Sequence, residues 1–217
     1  MNVILLAEFN VNSLAKVLGD ATYGFLALNL LWGLYCANLV WRRLRELRFR
    51  NEDEQTQFVN ELSETLAAAD YDAAIERCEL DPRALPQLTR IVLMNRDLEP
   101  DDLRQVVAER LQRDVLGPME NRINWILTVV RNGPLLGLFG TVLGMMAAFG
   151  RIGTGEKVQP SQIAAEISIA LICTAMGLGT AIPFNFMLAS LTTRIRTFQD
   201  ALGAGLMRVL DFYKNRS

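Results

Sequence analysis

Hydrophobic and charged positions fall in long blocks along this chain. No Asp, Glu, Lys or Arg occurs from Ala21 to Trp41, from Asn132 to Gly150 or from Ile167 to Thr193, stretches of 21, 19 and 27 residues. About 20 apolar residues suffice for a helix to cross the hydrocarbon core of a bilayer. The three gaps therefore predict three transmembrane helices. Between the first two gaps the pattern changes, because 32 of the 46 charged residues lie from Arg42 to Arg131. There the apolar positions recur with helical spacing. Phe58, Leu62 and Leu66 share one face, and Tyr71, Ala74, Ile75 and Cys78 mark a second short helix. Asp81-Pro82 offers a capping residue and a first-turn proline for a helix through Leu85, Leu88, Ile91 and Val92. Glu99-Pro100-Asp101-Asp102 repeats the signal and opens a longer helix with Leu103, Val106, Val107, Leu111 and Val115 inward. Gly117-Pro118 is expected to kink or break it before Met119–Val130 leads into the second span. No strand signal, internal repeat or low-complexity linker is visible. The predicted fold is all-α, a polytopic membrane protein with three transmembrane helices and long helical cytoplasmic extensions of the membrane bundle.

Flanking Lys and Arg set the orientation. Arg42, Arg43, Arg45, Arg48 and Arg50 follow span one, and Arg194, Arg196, Arg208, Lys214 and Arg216 follow span three. The loop between spans two and three holds only Arg151 and Lys157. The amino terminus is thus expected outside and the carboxyl terminus inside. The expected segments are 1–19 (interfacial), 20–41 (span one), 42–126 (cytoplasmic), 127–150 (span two), 151–163 (outer loop), 164–193 (span three) and 194–217 (cytoplasmic tail helix). Val3, Leu6 and Phe9, or Val11 and Leu14, are expected to dip into the headgroups. Glu8, Lys16 and Asp20 in the leader, followed by a full-length apolar run, favour an uncleaved span over a secretory signal.

Composition narrows the chemistry. A formal charge of -2 with 51% hydrophobic residues argues against disorder and against a nucleic-acid partner. The chain has no histidine, and its three cysteines, Cys36, Cys78 and Cys173, lie far apart. No catalytic constellation, metal cluster or cofactor motif is present, so no enzyme is expected.

Span two carries the stretch GPLLGLFGTVLGMMAAFG. Gly133, Gly137, Gly140 and Gly144, spaced by four, three and four, form one small-residue stripe, and Thr141 and Ala148 extend an overlapping one. Span three answers with Ala170, Thr174, Gly177 and Ala181. Small residues let backbones approach in a membrane, where close packing replaces the hydrophobic effect between helices. Two readings stand for these stripes: a device that holds the three-helix fold together, or a surface that also receives further helices. Thr141 lies eight residues before Phe149, and Thr174 lies eight after Glu166, so both sit about 12 Å in from the outer rim. Two hydroxyls at one depth on antiparallel neighbours form a shared polar patch, unless each merely bonds the carbonyl one turn earlier.

GPLLGLFGTVLGMMAAF followed by ALICTAMGLGTAIP resembles the paired signatures of the ExbB/TolQ/MotA superfamily, the multi-span subunits of ion-driven bacterial motors, in its ExbB/TolQ-like branch. AIERCELDPRALPQLTRIVL resembles that family's cytoplasmic loop more loosely. The resemblance implies a homopentameric ring in the bacterial inner membrane, with a periplasmic amino terminus and spans two and three lining a central pore. It implies a partner, a dimer of a single-span protein of the ExbD/TolR/MotB type, whose aspartate takes up and releases protons. Proton motive force then drives rotation in a stator-type motor. The family's pore threonines fall on Thr141 and Thr174, with Pro134 and Pro183 inside the matched motifs.

The residues themselves agree on one point. No span contains an internal carboxylate, so a titrating group must come from another chain. The family glutamate before "AL" aligns with Ile169 and is missing here. Glu166, one turn nearer the outside, is either a substitute interfacial carboxylate paired with Arg151 or Lys157, or a plain rim charge. The Ile169 departure keeps an alternative open, a passive scaffold or channel that has lost coupling. Arg131 reads as a snorkelling arginine at the start of span two or as a contact at the inner pore mouth. Asn29 and Asn38 read as polar links between helices.

Overall fold

The computed structural model describes residues 11–68, 70–96, 98–153 and 159–214. All regular structure among them is helical: α1 (Val11–Leu47), α2 (Glu52–Ala67), α3 (Tyr71–Leu80), α4 (Ala84–Met94), α5 (Pro100–Arg110), a π-helical turn (Leu111–Leu116), α6 (Gly117–Gly153) and α7 (Pro160–Lys214). Val3, Leu6 and Phe9 lie outside the described residues, and so do the side chains of Val11 and Leu14. Three helices, within 17–47, 101–150 and 160–211, are long and apolar enough to cross a membrane.

The chain divides into two compact units, one from residues up to Ala37 with Asn124–Leu188, the other from Asn38–Ile123 with the residues from Ala189 onward. The first unit is a bundle of α1, α6 and α7. Its core is small: Leu26, Ile126, Val129, Leu143, Cys173 and Phe184 are buried. In each apolar window only 28% of residues are buried within the chain. Leu28, Leu31, Leu135, Leu138, Ile182 and Phe186 instead face outward. A water-soluble monomer rarely exposes so much contiguous apolar surface, whereas lipid or further helices accept it without penalty. Asn29 links two of the helices, its amide donating to the Val129 carbonyl at 3.2 Å. Asn38 is exposed.

The second unit has its own core. Phe58, Leu62 and Leu66 of α2 are buried as their spacing predicts, with Leu85, Leu88 and Val92 of α4 and Leu103 and Val107 of α5. Asp70 caps α3 by accepting from the Ala73 amide at 3.1 Å, which satisfies one of the unpaired N–H groups at a helix start. The residues of α7 in this unit pack against α2 and α4. Gln55 donates to the Ala201 carbonyl at 2.8 Å, and Gly205 sits against Gln55 and Leu85. Arg83 bridges Glu54 at 2.8 Å and stacks 4.3 Å from the centre of the Phe49 ring.

Two expectations need correcting. The helix expected to open at Asp81-Pro82 begins at Ala84, because the Asp81 carboxylate accepts the Arg83 amide at 3.0 Å and so closes a turn before the helix. Gly117-Pro118 does not break its helix. The preceding turn widens into π geometry, with the Gly117 amide bonded to the Gln112 carbonyl five residues back. Pro118 has no N–H to offer a carbonyl, and the wider turn shifts the hydrogen-bond register just before it.

Cys78 is fully buried in this unit. Burial, with the Asp81 carboxylate adding to it, pushes its thiol from near 9.0 up to about 11. Because the folded value lies above the unfolded one, the neutral thiol contributes stability that is complete below about 9 and is lost as pH rises through about 11. With Cys36 and Cys173 also buried, Ellman's reagent at a pH of about 8.5 should find no thiol in the native protein and three after denaturation. Fast native reaction at Cys78 would contradict this packing.

Candidate functional site

The polar chemistry of the first unit gathers where α6 meets α7. The helices touch backbone to backbone. A methyl built on Gly177 would fall 2.5 Å from the Gly133 carbonyl oxygen, and one on Gly137 would fall 2.8 Å from the Cys173 carbonyl oxygen. On Gly144 it would meet the Ala170 Cβ at 2.6 Å. Gly140 faces Cys173 and the Thr22 methyl, while Gly133 also approaches Thr180 and Ala181. The expected small-residue stripes are thus brought together, and Ala148, Ala170 and Ala181 are buried with them.

That closeness delivers the two threonines to each other. The hydroxyls of Thr141 and Thr174 are hydrogen-bonded across the interface. The Gly137 carbonyl lies within hydrogen-bond reach of both, 3.1 Å from each oxygen, and the Ala170 carbonyl lies 3.2 Å from the Thr141 hydroxyl, so two hydroxyl protons are shared among four contacts. The local alternative, a bond to the carbonyl one turn earlier, is realised for Thr141 through Gly137. It does not exhaust either hydroxyl. Both side chains are half-buried, so the pair sits at the edge of the α6–α7 seam and not in its middle. A hydroxyl both donates and accepts, and this edge can therefore hold a water or pass a proton without carrying charge itself.

Pro134 and Pro183 lie inside α6 and α7 without ending them. Pro134 is half-buried and Pro183 exposed. Glu166 is half-buried on α7 and is not a free carboxylate. Lys157 and the side chain of Arg151 lie outside the described residues. Arg131 is exposed on α6.

Three contacts escaped the pattern reading. The Tyr23 hydroxyl donates to the Ile169 carbonyl at 2.9 Å and ties α1 to α7. Thr22 is almost wholly buried, its hydroxyl bonded to the Leu18 carbonyl at 2.8 Å and its methyl placed beside Gly140. Thr180 donates to the Gly177 carbonyl at 2.8 Å. A hydroxyl that returns to its own helix leaves no periodic trace in a sequence.

Three long apolar helices packed at a glycine-lined seam are the build of a polytopic membrane protein. The MotA/TolQ/ExbB proton channel family matches residues 78–203. The chain belongs to that family, on the ExbB/TolQ side. It is 36% identical over 85 residues to the Tol-Pal system protein TolQ of Haemophilus influenzae, covering 39% of this chain and 37% of that protein. It is 34% identical over 122 residues to TolQ of Pseudomonas aeruginosa, covering 51% and 52%. A longer and weaker match, 25% over 183 residues, joins it to the biopolymer transport protein ExbB of Salmonella typhimurium, covering 82% of this chain and 74% of that one. The chain thus spans about half or less of the length of the two TolQ proteins.

Proposed function

We propose that this chain is the proton-path subunit of an energy-transducing complex in the bacterial inner membrane. Five copies form a ring around a dimer of a single-span partner of the ExbD/TolR/MotB type. The partner supplies the aspartate that gains and loses the proton, and proton motive force turns one assembly against the other. The Thr141–Thr174 edge of each copy faces the partner. The amino terminus is periplasmic, residues 42–126 and 194–217 are cytoplasmic, and 20–41, 127–150 and 164–193 are the spans. The subunit is not itself an enzyme.

The paired hydroxyls carry this reading. They are the polar groups shared by two helices whose charge-free stretches hold no carboxylate, so they can assist a titrating group but cannot replace it. The available driving force is about 2.3 kcal/mol per charge per 100 mV, enough to bias a small rotational step. A second reading, a passive scaffold, draws on Ile169, where a carboxylate is absent and the backbone carbonyl is already taken by Tyr23.

Imaging of the complex purified with the product of a neighbouring single-span gene tests the proposal. Five copies around two central helices are expected. A solitary protomer, or a ring that excludes the second protein, would overturn it.

A further inference from the structure

Two arginines converge on one aromatic ring where the charge-free stretches of α1 and α7 end. The guanidinium carbons of Arg45 and Arg194 lie 5.2 and 4.7 Å from the centre of the Trp41 ring. They are therefore within about 10 Å of each other, a distance over which exposed charges still interact at physiological salt. Like charges so placed repel. Both side chains are exposed, and among the described residues no carboxylate lies within ion-pair distance of either. Their neighbours differ, since Arg42 and Arg43 both face Glu46, at 4.0 and 3.9 Å. Stacking on an indole orients a guanidinium without neutralising it. The pair is held ready for an anion.

Depth says which anion. Trp41 is the last residue of the charge-free stretch of α1, and Arg194 is the first charged residue after that of α7. Their contact brings the two boundaries to one level. There hydrocarbon gives way to headgroups, the depth at which tryptophan is enriched. Arg45 and Arg48 follow Trp41 by four and seven residues, and so share its face of α1. Further from the charge-free stretches lies a cleft of about 160 Å³, whose walls include Arg48, Asn51, Thr197 and Asp200. Arg42, Arg43, Arg45, Arg48, Arg194 and Arg196 are six cations against two carboxylates, Glu46 and Asp200, an excess of four.

We infer that Arg45, Trp41 and Arg194 bind the headgroup of an anionic phospholipid, its phosphate between the two guanidiniums and its polar remainder toward the cleft. A phosphate diester supplies acceptor oxygens that guanidinium donors match in pairs, and its charge relieves the repulsion between the cations. The acyl chains lie on the hydrocarbon side of Trp41. A zwitterionic lipid offers the same phosphate but brings a further cation to an edge already rich in them. The site requires neither a ring nor a second protein, so it stands or falls separately from the proposed function.

Native mass spectrometry of the full chain in detergent, titrated with dioleoylphosphatidylglycerol, tests it. The wild type should bind this lipid roughly tenfold more tightly than dioleoylphosphatidylcholine. Arg45→Gln combined with Arg194→Gln should weaken the phosphatidylglycerol complex about tenfold or more, the scale of two surface cations on an anionic lipid. Arg43→Gln combined with Arg196→Gln removes as many charges beside the ring and should weaken it no more than about threefold. Equal losses in the two pairs would mean a diffuse field in place of a site, and equal binding of the two lipids would remove the anionic preference. Either result overturns the proposal. Should the first pair fail to fold, Trp41→Leu gives the same reading, because the guanidiniums are then no longer gathered, and unchanged binding there also overturns the site. Inorganic phosphate should displace the lipid no better than chloride at equal ionic strength. Selective displacement by phosphate would assign the cations to a soluble anion and defeat the lipid. A changed oligomeric state in Arg45→Gln with Arg194→Gln, with lipid binding intact, would assign them to a contact between copies and defeat it as well.

Discussion

Replacing Gly177 with alanine is expected to force α6 away from α7 and to destabilise the bundle by about 3 kcal/mol, the upper end for overpacking by a single methyl. The added carbon would lie 2.5 Å from the Gly133 carbonyl oxygen and 3.2 Å from both the Gly133 carbonyl carbon and the Gly137 Cα. All three are backbone atoms, so no side chain can rotate to make room. The opposing term, the better helix propensity of alanine, is at most about 1 kcal/mol. The clash wins. Gly179 and Gly24 supply the controls, since nothing lies within 4 Å of a methyl on either. Alanine at those positions should be neutral or stabilise by up to ~1 kcal/mol. Thermal unfolding in detergent would read the difference as a drop of roughly 6–12 °C for Gly177→Ala against none for Gly179→Ala. Equal midpoints would mean that backbone closeness does not set the stability of this pair.

Thr141→Val and Thr174→Val should separate function from folding. Valine keeps the branched shape and volume of threonine at the seam and removes only the hydroxyl. The Gly137 carbonyl retains the Thr141 backbone amide as its helical donor, so the stability cost should stay near 1 kcal/mol, the net worth of an ordinary hydrogen bond. Under the proposed function, the same hydroxyl steadies a proton or an ionised partner, where a hydrogen bond is worth about 1.5–3 kcal/mol. That corresponds to roughly a 10- to 150-fold loss of flux. Serine at either position keeps the hydroxyl and should restore flux, a rescue that a purely packing role would not show. Full flux in both valine variants, with assembly unchanged, would remove the hydroxyls from the path.

Much of this was legible because membranes impose long-range rules. The charge gaps marked α1, α6 and α7, the small-residue spacing marked the facing surfaces of α6 and α7, and counting inward from Phe149 and Glu166 placed the two threonines level. The short helices α2 and α3 followed from Phe58, Leu62, Leu66 and Cys78. What escaped was set by neighbours or by local hydrogen-bond competition. The tail helix expected from Arg194 onward is continuous with the helix before it in α7, a join that the spacing of charges does not reveal. Asp81 looked like a helix cap and instead closes a turn on Arg83. Gly117-Pro118 looked like a break, and its strain is absorbed one turn earlier by the π-helical Leu111–Leu116. Tyr23 reaching the Ile169 carbonyl depends on α1 lying beside α7, which no spacing within α1 reveals.

The glycine seam has a mechanical corollary. Gly133, Gly137 and Gly177 meet carbonyls and α-carbons, atoms with no rotamers to exchange, so α6 cannot slide or roll on α7 without opening voids. Within the first unit the two helices are locked together along this seam, and the spacing of the hydroxyls on its edge is fixed with them. Under the proposed function, any stroke comes from such paired helices swinging as whole bodies or from an inserted chain stepping between them.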